Sequence, residues 1–241
     1  NNLFEECNGE VEIISSKTNF NVIRNNVFYK SEGSVVTRHG NYVTIDGNYF
    51  IGDGVNENYG GIRIINTGHW VINNLFYKLK GKNFRSPLAV MNGIPKSPLN
   101  RYNQVTDVVV AYNTYVDSNS PWQFGVGTNI AQAAVLPKSE IRSARPLRTE
   151  VVNNVIYNSV GDANPIIEHD KADGVTFKSN IIYNNGVEIV NSHGLISKEL
   201  TLTDIGVNLS VPTSGFDDVE IYNGFDFESI SSDLLGVSSK K

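Results

Sequence analysis

Apolar and polar positions alternate over short stretches along most of the chain, and Gly, Asn and Asp punctuate them. NVIRNNVF, NYVTIDGNYF, GGIRIIN, HWVINNLFY, DVVVAYNTY and DGVTFKSNIIY all have this texture. Alternation with a period of two, bounded by turn-forming residues, predicts strands of only a few residues. No segment shows a convincing helical period. One mark recurs: an Asn followed by two strand-forming, mostly apolar residues. It stands at Asn2, Asn26, Asn48, Asn74, Asn113, Asn154 and Asn180, in steps of 24, 22, 26, 39, 41 and 26 residues.

A base period in the twenties with two long steps predicts a solenoid with loop insertions. Each coil is then several short strands closed by turns, and each strand pairs in parallel with its counterpart one coil on. Inward apolar residues stack into a continuous core. The recurring Asn stacks at one corner, amide on amide, where it satisfies backbone groups left open by a turn. The expected fold is all-β, a parallel β-helix. A β-sandwich also has many short strands, but it does not explain an Asn mark at rung spacing.

The long steps place the insertions at PKSPLNRYNQ, near 95–104, and AVLPKSEIRSARPLRTE, near 134–150. Both are basic and bear Pro, and both are expected to leave the solenoid body. The chain reads as one domain, 1–241, with regular coils to about residue 200. The segment from 201 to 241 loses the Asn mark and turns acidic, as an irregular C-terminal coil or cap would. NNLFEEC already has the character of a mid-solenoid coil. Further N-terminal coils, on this polypeptide or on a separate fragment, are therefore expected to pack on Asn1–Glu12.

With 241 residues, 40% of them hydrophobic, the chain can bury one sizeable core. Its net charge of −5 argues against a nucleic-acid partner. No apolar run has the length of a membrane span, and no signal peptide is visible. A single cysteine, Cys7, excludes an intramolecular disulfide, and the four His lack zinc-type spacing. The charge is unevenly spread. From Asn58 to Thr106 there are seven bases (Arg63, Lys78, Lys80, Lys82, Arg85, Lys96 and Arg101) and no acid. From Asp217 to Asp233 there are six acids and no base. A basic stretch on an acidic protein suggests an anionic ligand at one site, or ordinary surface charge.

A solenoid turns spacing into geometry, because residues one coil apart sit roughly 4.8 Å from each other. In GEVEIISSK, strand alternation would put Glu10 and Glu12 on one face, with Lys17 five residues further on. Lys17 to Arg38 is 21 residues and Arg38 to Arg63 is 25, each about one coil, so the three could form a cationic ladder. His39 adjoins Arg38, and Arg85 follows Arg63 by roughly a coil. Two readings stay open. The charges neutralise each other as surface ion pairs, each worth about 0–1 kcal/mol. Alternatively, a hard cation such as Ca²⁺ sits between Glu10 and Glu12, and the cationic ladder faces an anionic substrate.

GEVEIISSKTNFNVIRNNVF, SVVTRHGNYVTIDGNYFIGDG and GGIRIINTGHWVINN resemble the polysaccharide lyases of the alginate lyase and chondroitinase B type. The likeness covers the first third of the chain closely, and LAVMNGIPKSPLNRYNQV extends it toward the alginate-acting members. It implies a single-stranded, right-handed parallel β-helix and Ca²⁺-assisted β-elimination on a uronate polysaccharide, alginate above all. By position it implies Glu10 and Glu12 as calcium ligands, Lys17 as Brønsted base and Arg38 as Brønsted acid. His39 and Arg63 fall among substrate contacts, and Arg85 is grouped with them. The family's third calcium ligand, an Asn, would lie about one coil upstream of this chain. Arginine is a poor acid, so Arg38 could instead stabilise developing charge while water or Tyr102 delivers the proton. The resemblance also implies a secreted or periplasmic protein. The alternatives are a chondroitinase B-like lyase on dermatan sulfate and a non-catalytic polysaccharide-binding β-helix.

Overall fold

The structure is a computed structural model and describes residues 1–216 and 218–222. The chain visits three parallel sheets in turn and repeats the circuit one coil on. The first sheet holds Leu3–Glu5, Val27–Tyr29, Tyr49–Ile51, Leu75–Tyr77, Thr114–Val116, Val155–Tyr157, Ile181–Tyr183 and Ile196–Ser197. The second holds Glu12–Ser15, Gly33–Val36, Tyr59–Ile64, Leu88–Met91, Trp122–Val126 and Ile166–Glu168. The third holds Val22–Arg24, Thr44–Asp46, Trp70–Ile72, Thr106–Ala111, Leu147–Val152 and Val175–Lys178. Every pairing within these sheets is parallel and joins neighbouring coils, for example Leu3 with Val27 and Val22 with Thr44. That is a parallel β-helix, and it excludes the sandwich.

The Asn corner explains the coil. Asn2, Asn26, Asn48, Asn74, Asn113, Asn154 and Asn180 form one hydrogen-bonded column. From Asn2 to Asn154, each Nδ2 donates to the Oδ1 of the next rung at 2.9–3.0 Å. Each backbone N–H donates to that same oxygen. From Asn48 onward, the second Nδ2 hydrogen goes to a carbonyl of the coil before, such as Ile45 for Asn74. A buried turn thereby keeps its polar groups paired. The preceding residue takes a left-handed backbone, φ +56° at Asn25, +56° at Asn73 and +54° at Asn153. Asn tolerates that conformation better than most residues, and at the other corners Gly47, Tyr112 and Ser179 adopt it before Asn48, Asn113 and Asn180.

Two residues after each ladder Asn, an apolar side chain points inward. Phe4, Phe28, Phe50, Phe76 and Tyr115 stack with centroids 4.5–5.0 Å apart. Ile156 and Ile182 continue the column. From the second sheet Val35, Ile62, Leu88, Trp122 and Ile166 fill the other side of the core in register.

The two insertions, 92–105 and 127–146, both leave the second sheet and return to the third. The second ends sooner than expected, because Leu147–Val152 is already a strand. They are tied to each other: Gly93 and Ala144 exchange N–H···O bonds of 2.8 and 2.9 Å, and Gln104 Nε2 donates to the Arg145 carbonyl at 2.6 Å. They form one layer beside the second sheet. After Ile196–Ser197 the chain makes an antiparallel hairpin, Thr201–Asp204 with Ser210–Ser214. Leu209 packs there on Leu75, Tyr77 and Val116. Most of the acidic run after Asp217 lies outside the described residues. Among the described residues no helix is long and apolar enough to cross a membrane.

His69 is fully buried between sheets. Its Nδ1 accepts the Val43 N–H at 3.1 Å and its Nε2–H donates to the Ile65 carbonyl at 2.7 Å. Burial lowers its pKa to about 4, so the ring is neutral.

Candidate active site

The second sheet alternates inward and outward residues. In register with one another, Ser15, Val36, Arg63, Ala89 and Gln123 occupy the outward column. Near its start a register irregularity between Glu12 and Ile14 turns both Ile13 and Ile14 toward the core. Glu12 is left on the outer side, three residues from Ser15, as a bulge allows.

Two guanidinium groups converge on that carboxylate. Arg38 Nη1 donates to Glu12 Oε1 at 2.9 Å, and Arg63 Nη2 donates to the same oxygen. Arg63 is buried, 5% exposed. Burial pushes its pKa down and Glu12 pulls it up, with Arg38 and Arg85 opposing; the net direction is down. Two aromatic rings back the pair. Arg38 Cζ lies 4.9 Å from the Tyr102 centroid, and Arg63 Cζ lies 5.5 Å from that of Phe84. Tyr102 packs on an apolar bed of Val36, Ile65, Ala89, Met91 and Val126. Arg142, from the second insertion, stands over the same Tyr102 ring at 5.8 Å, with its Nε bonded to the Gly127 carbonyl. Gly127 has φ +75°, and a Cβ there would come within 2.9–3.3 Å of Met91, Phe84 and Arg142. Only glycine lets these side chains meet.

Lys17 lies two residues beyond the strand Glu12–Ser15, exposed and without a hydrogen-bond partner among the described residues. Ser15 pairs with Val36, a step of 21 residues, which is also the step from Lys17 to Arg38. These two therefore occupy corresponding places on successive rungs. Val36 pairs with Arg63, a step of 27, so Arg63 falls two residues out of the expected ladder. It joins the cluster from the side, through Glu12. Among the described residues of this cluster, three buried nitrogens have no hydrogen-bond partner: His39 Nδ1, Arg63 Nε and Arg85 Nε. They belong to three of the residues expected to meet substrate. Arg85 closes a short 3₁₀ turn, Asn83–Arg85, that also presents Phe84.

The geometry departs from expectation at Glu10. The strand begins at Glu12, and Glu10 is exposed in the bend before it, next to Gly9 at φ +129°. The two glutamates do not share a strand face. A calcium ion takes six to eight oxygens. Among the described residues no three His, Cys, Asp or Glu side chains gather as a metal site would require. One oxygen of Glu12 is already held by two arginines. Two glutamates supply fewer oxygens than a calcium shell takes, so other oxygens would have to complete it.

The basic stretch from Asn58 to Thr106 divides. Arg63 and Arg85 belong to the cluster. Lys82 pairs with Glu57, Arg101 lies 3.9 Å from Glu140, and Lys80 donates to the Asp117 carbonyl. Phe84 and Arg142 were not anticipated from the sequence. The available signal was the basic character of the second insertion, which did not say which arginine turns inward.

A family model described as chondroitinase B matches residues 1–228. The fold is similar to that of the PL6 family alginate lyase AlyGC, with TM-score 0.80 and 36% identity over 99% of this chain and 31% of that one. An AlyGC point variant matches with TM-score 0.79 and 37% identity, over 89% of this chain and 28% of that one. A mannuronic acid specific polysaccharide family 6 lyase from human gut microbiota matches with TM-score 0.61 and 31% identity, over 75% of this chain and 38% of that one. The chain thus spans under two-fifths of the length of these solved relatives. No curated protein sequence matches it.

Proposed function

The chain belongs to the chondroitinase B family of polysaccharide lyases, and from that premise we propose that it cleaves alginate by β-elimination at uronate residues. The observation that carries the reading is the meeting of Arg38 and Arg63 on one oxygen of Glu12, with the uncommitted Lys17 one rung from Arg38. More positive than negative charge collects there, on a protein of net charge −5. A polyanion is drawn to such a place.

Elimination breaks the C5–H bond of a uronate and the C4–O4 bond to the next sugar, leaving a C4=C5 double bond. Lys17 Nζ takes the C5 proton, and the electron pair spreads onto the C6 carboxylate. That group must be partly neutralised for C5–H to be acidic enough, and Arg63 and Arg38 supply positive charge beside it. An amine base acts only when unprotonated. The departing O4 receives a proton from Tyr102 or water, or is stabilised by Arg38. The identity to alginate lyases supports alginate, and the family's name supports dermatan sulfate as the second reading. Calcium dependence is part of the proposal. Glu10 and the second oxygen of Glu12 would contribute to the ion's shell, and the ion would neutralise the substrate carboxylate. A secreted or periplasmic location would suit a polymeric substrate.

The test is incubation with alginate and with dermatan sulfate, followed by the ultraviolet absorbance of the unsaturated uronate. Alginate should yield it faster. Binding without new absorbance would leave a binding module, and reducing ends without absorbance would mean hydrolysis. Chelation should abolish turnover and added Ca²⁺ restore it; full activity in excess chelator would remove the ion from the proposal.

A further inference from the structure

Arg142 differs from its neighbours in what its guanidinium touches. Arg38 and Arg63 each commit a terminal nitrogen to Glu12. Arg142 commits only Nε, to the Gly127 carbonyl, and its two terminal nitrogens have no hydrogen-bond partner among the described residues. Its backbone is fixed as well. The Arg142 N–H donates to Asn129 Oδ1 at 2.7 Å, and Asn129 Nδ2 donates to the Glu140 carbonyl at 3.1 Å. The insertion that carries it is pinned to the other at Gly93 and Ala144. The Tyr102 ring then sets Arg142 in fixed relation to Arg38, with the two Cζ atoms 5.8 and 4.9 Å from one centroid. A held guanidinium with both terminal nitrogens open is pre-organised for a planar, bidentate anion.

We infer that Arg142 receives the carboxylate of a second uronate, next along the polymer from the one that Arg38 and Arg63 face. Tyr102 is the spacer between the two positions. The inference rests on the polysaccharide reading above and adds to it a requirement for contiguous acidic sugars. An isolated uronate among neutral sugars would meet one cluster and leave Arg142 empty.

The measurement is calorimetric binding of a saturated alginate tetrasaccharide to the chain carrying Lys17→Ala, so that no turnover intervenes. Adding Arg142→Gln should weaken binding by about tenfold to a hundredfold, as loss of a charge-assisted pair does, while Arg142→Lys should recover part of the loss. Glutamine keeps an amide able to reach the Gly127 carbonyl, and an unchanged melting temperature would show the insertion still seated. A second measurement needs no substitution at Arg142: reducing one internal carboxyl of the tetrasaccharide to the alcohol should cost a similar factor. Equal affinity with Arg142→Gln, or indifference to the reduced carboxyl, would overturn this inference alone. No binding of any uronate oligomer by the parent chain would overturn the polysaccharide reading and this inference with it.

Discussion

The Asn corner and the arginine cluster are both polar assemblies on one solenoid, and they are built on opposite plans. At the corner every rung repeats the last, each amide is neutral, and each Oδ1 accepts two hydrogen bonds from the rung before. In the cluster nothing repeats. Glu12, Arg38, Arg63, Phe84, Tyr102 and Arg142 come from different coils and from both insertions, and three buried nitrogens beside them stay unpartnered. Full pairing of neutral groups makes a rigid spine. Incomplete pairing of charged ones leaves capacity for a ligand, at some cost in stability.

The contrast is broken most strongly at Lys17. Lys17→Ala should lower turnover by about 10²–10⁴-fold, as loss of a positioned base does. It should leave the melting temperature nearly unchanged, because Lys17 is exposed and unbonded. Near-full activity in a folded variant would refute its role as base.

Asn74→Ala should do the reverse. It strips the acceptor from Asn48 and the donor from Asn113 and the Ile45 carbonyl, all buried. The expected loss is about 3–5 kcal/mol, read as a melting temperature lower by roughly 10 °C. A shift of a degree or two would mean that the ladder is not a cooperative spine.

His69 sharpens the comparison from between the two, being a neutral, fully paired group that can nevertheless titrate. Its folded pKa of about 4 lies below the ordinary 6.5, so the unfolded chain binds the proton more readily. Its stabilisation is complete above pH 6.5 and is lost as pH falls toward 4, by about 3 kcal/mol at most. Denaturation midpoints across that range, with an NMR titration of the ring, check it. A ring titrating near 6.5 would contradict the neutral role.

The two regions were unequally legible in the sequence for the same reason. The corner is periodic, so Asn positions alone gave its rungs, and the aromatic column follows two residues later. Lys17 and Arg38 were placed correctly relative to each other because the step of 21 is also the local register. Arg63 was misplaced by two residues because the register shifts between Gly33 and Val35 lengthen that step on the second sheet. Glu10 was assigned to a strand that begins two residues later. Arg142 and Phe84 could not be read at all, since loops with no period of their own carry them and Gly127 admits them.

The amide column has one more property. Along the row the Nδ2 of each Asn from Asn2 to Asn154 meets the next rung, and the Oδ1 of each from Asn26 to Asn180 meets the last. Turning one amide over would set nitrogen against nitrogen on one side and oxygen against oxygen on the other. A single reversal at Asn74 would thus lose four hydrogen bonds, two between amides and two to the backbone, while reversal of the whole row would restore the bonds between amides and still lose those to the backbone. The amides behave as a row of aligned needles, each orientation held by its neighbours, and the solenoid carries a direction along its axis that no single coil could keep.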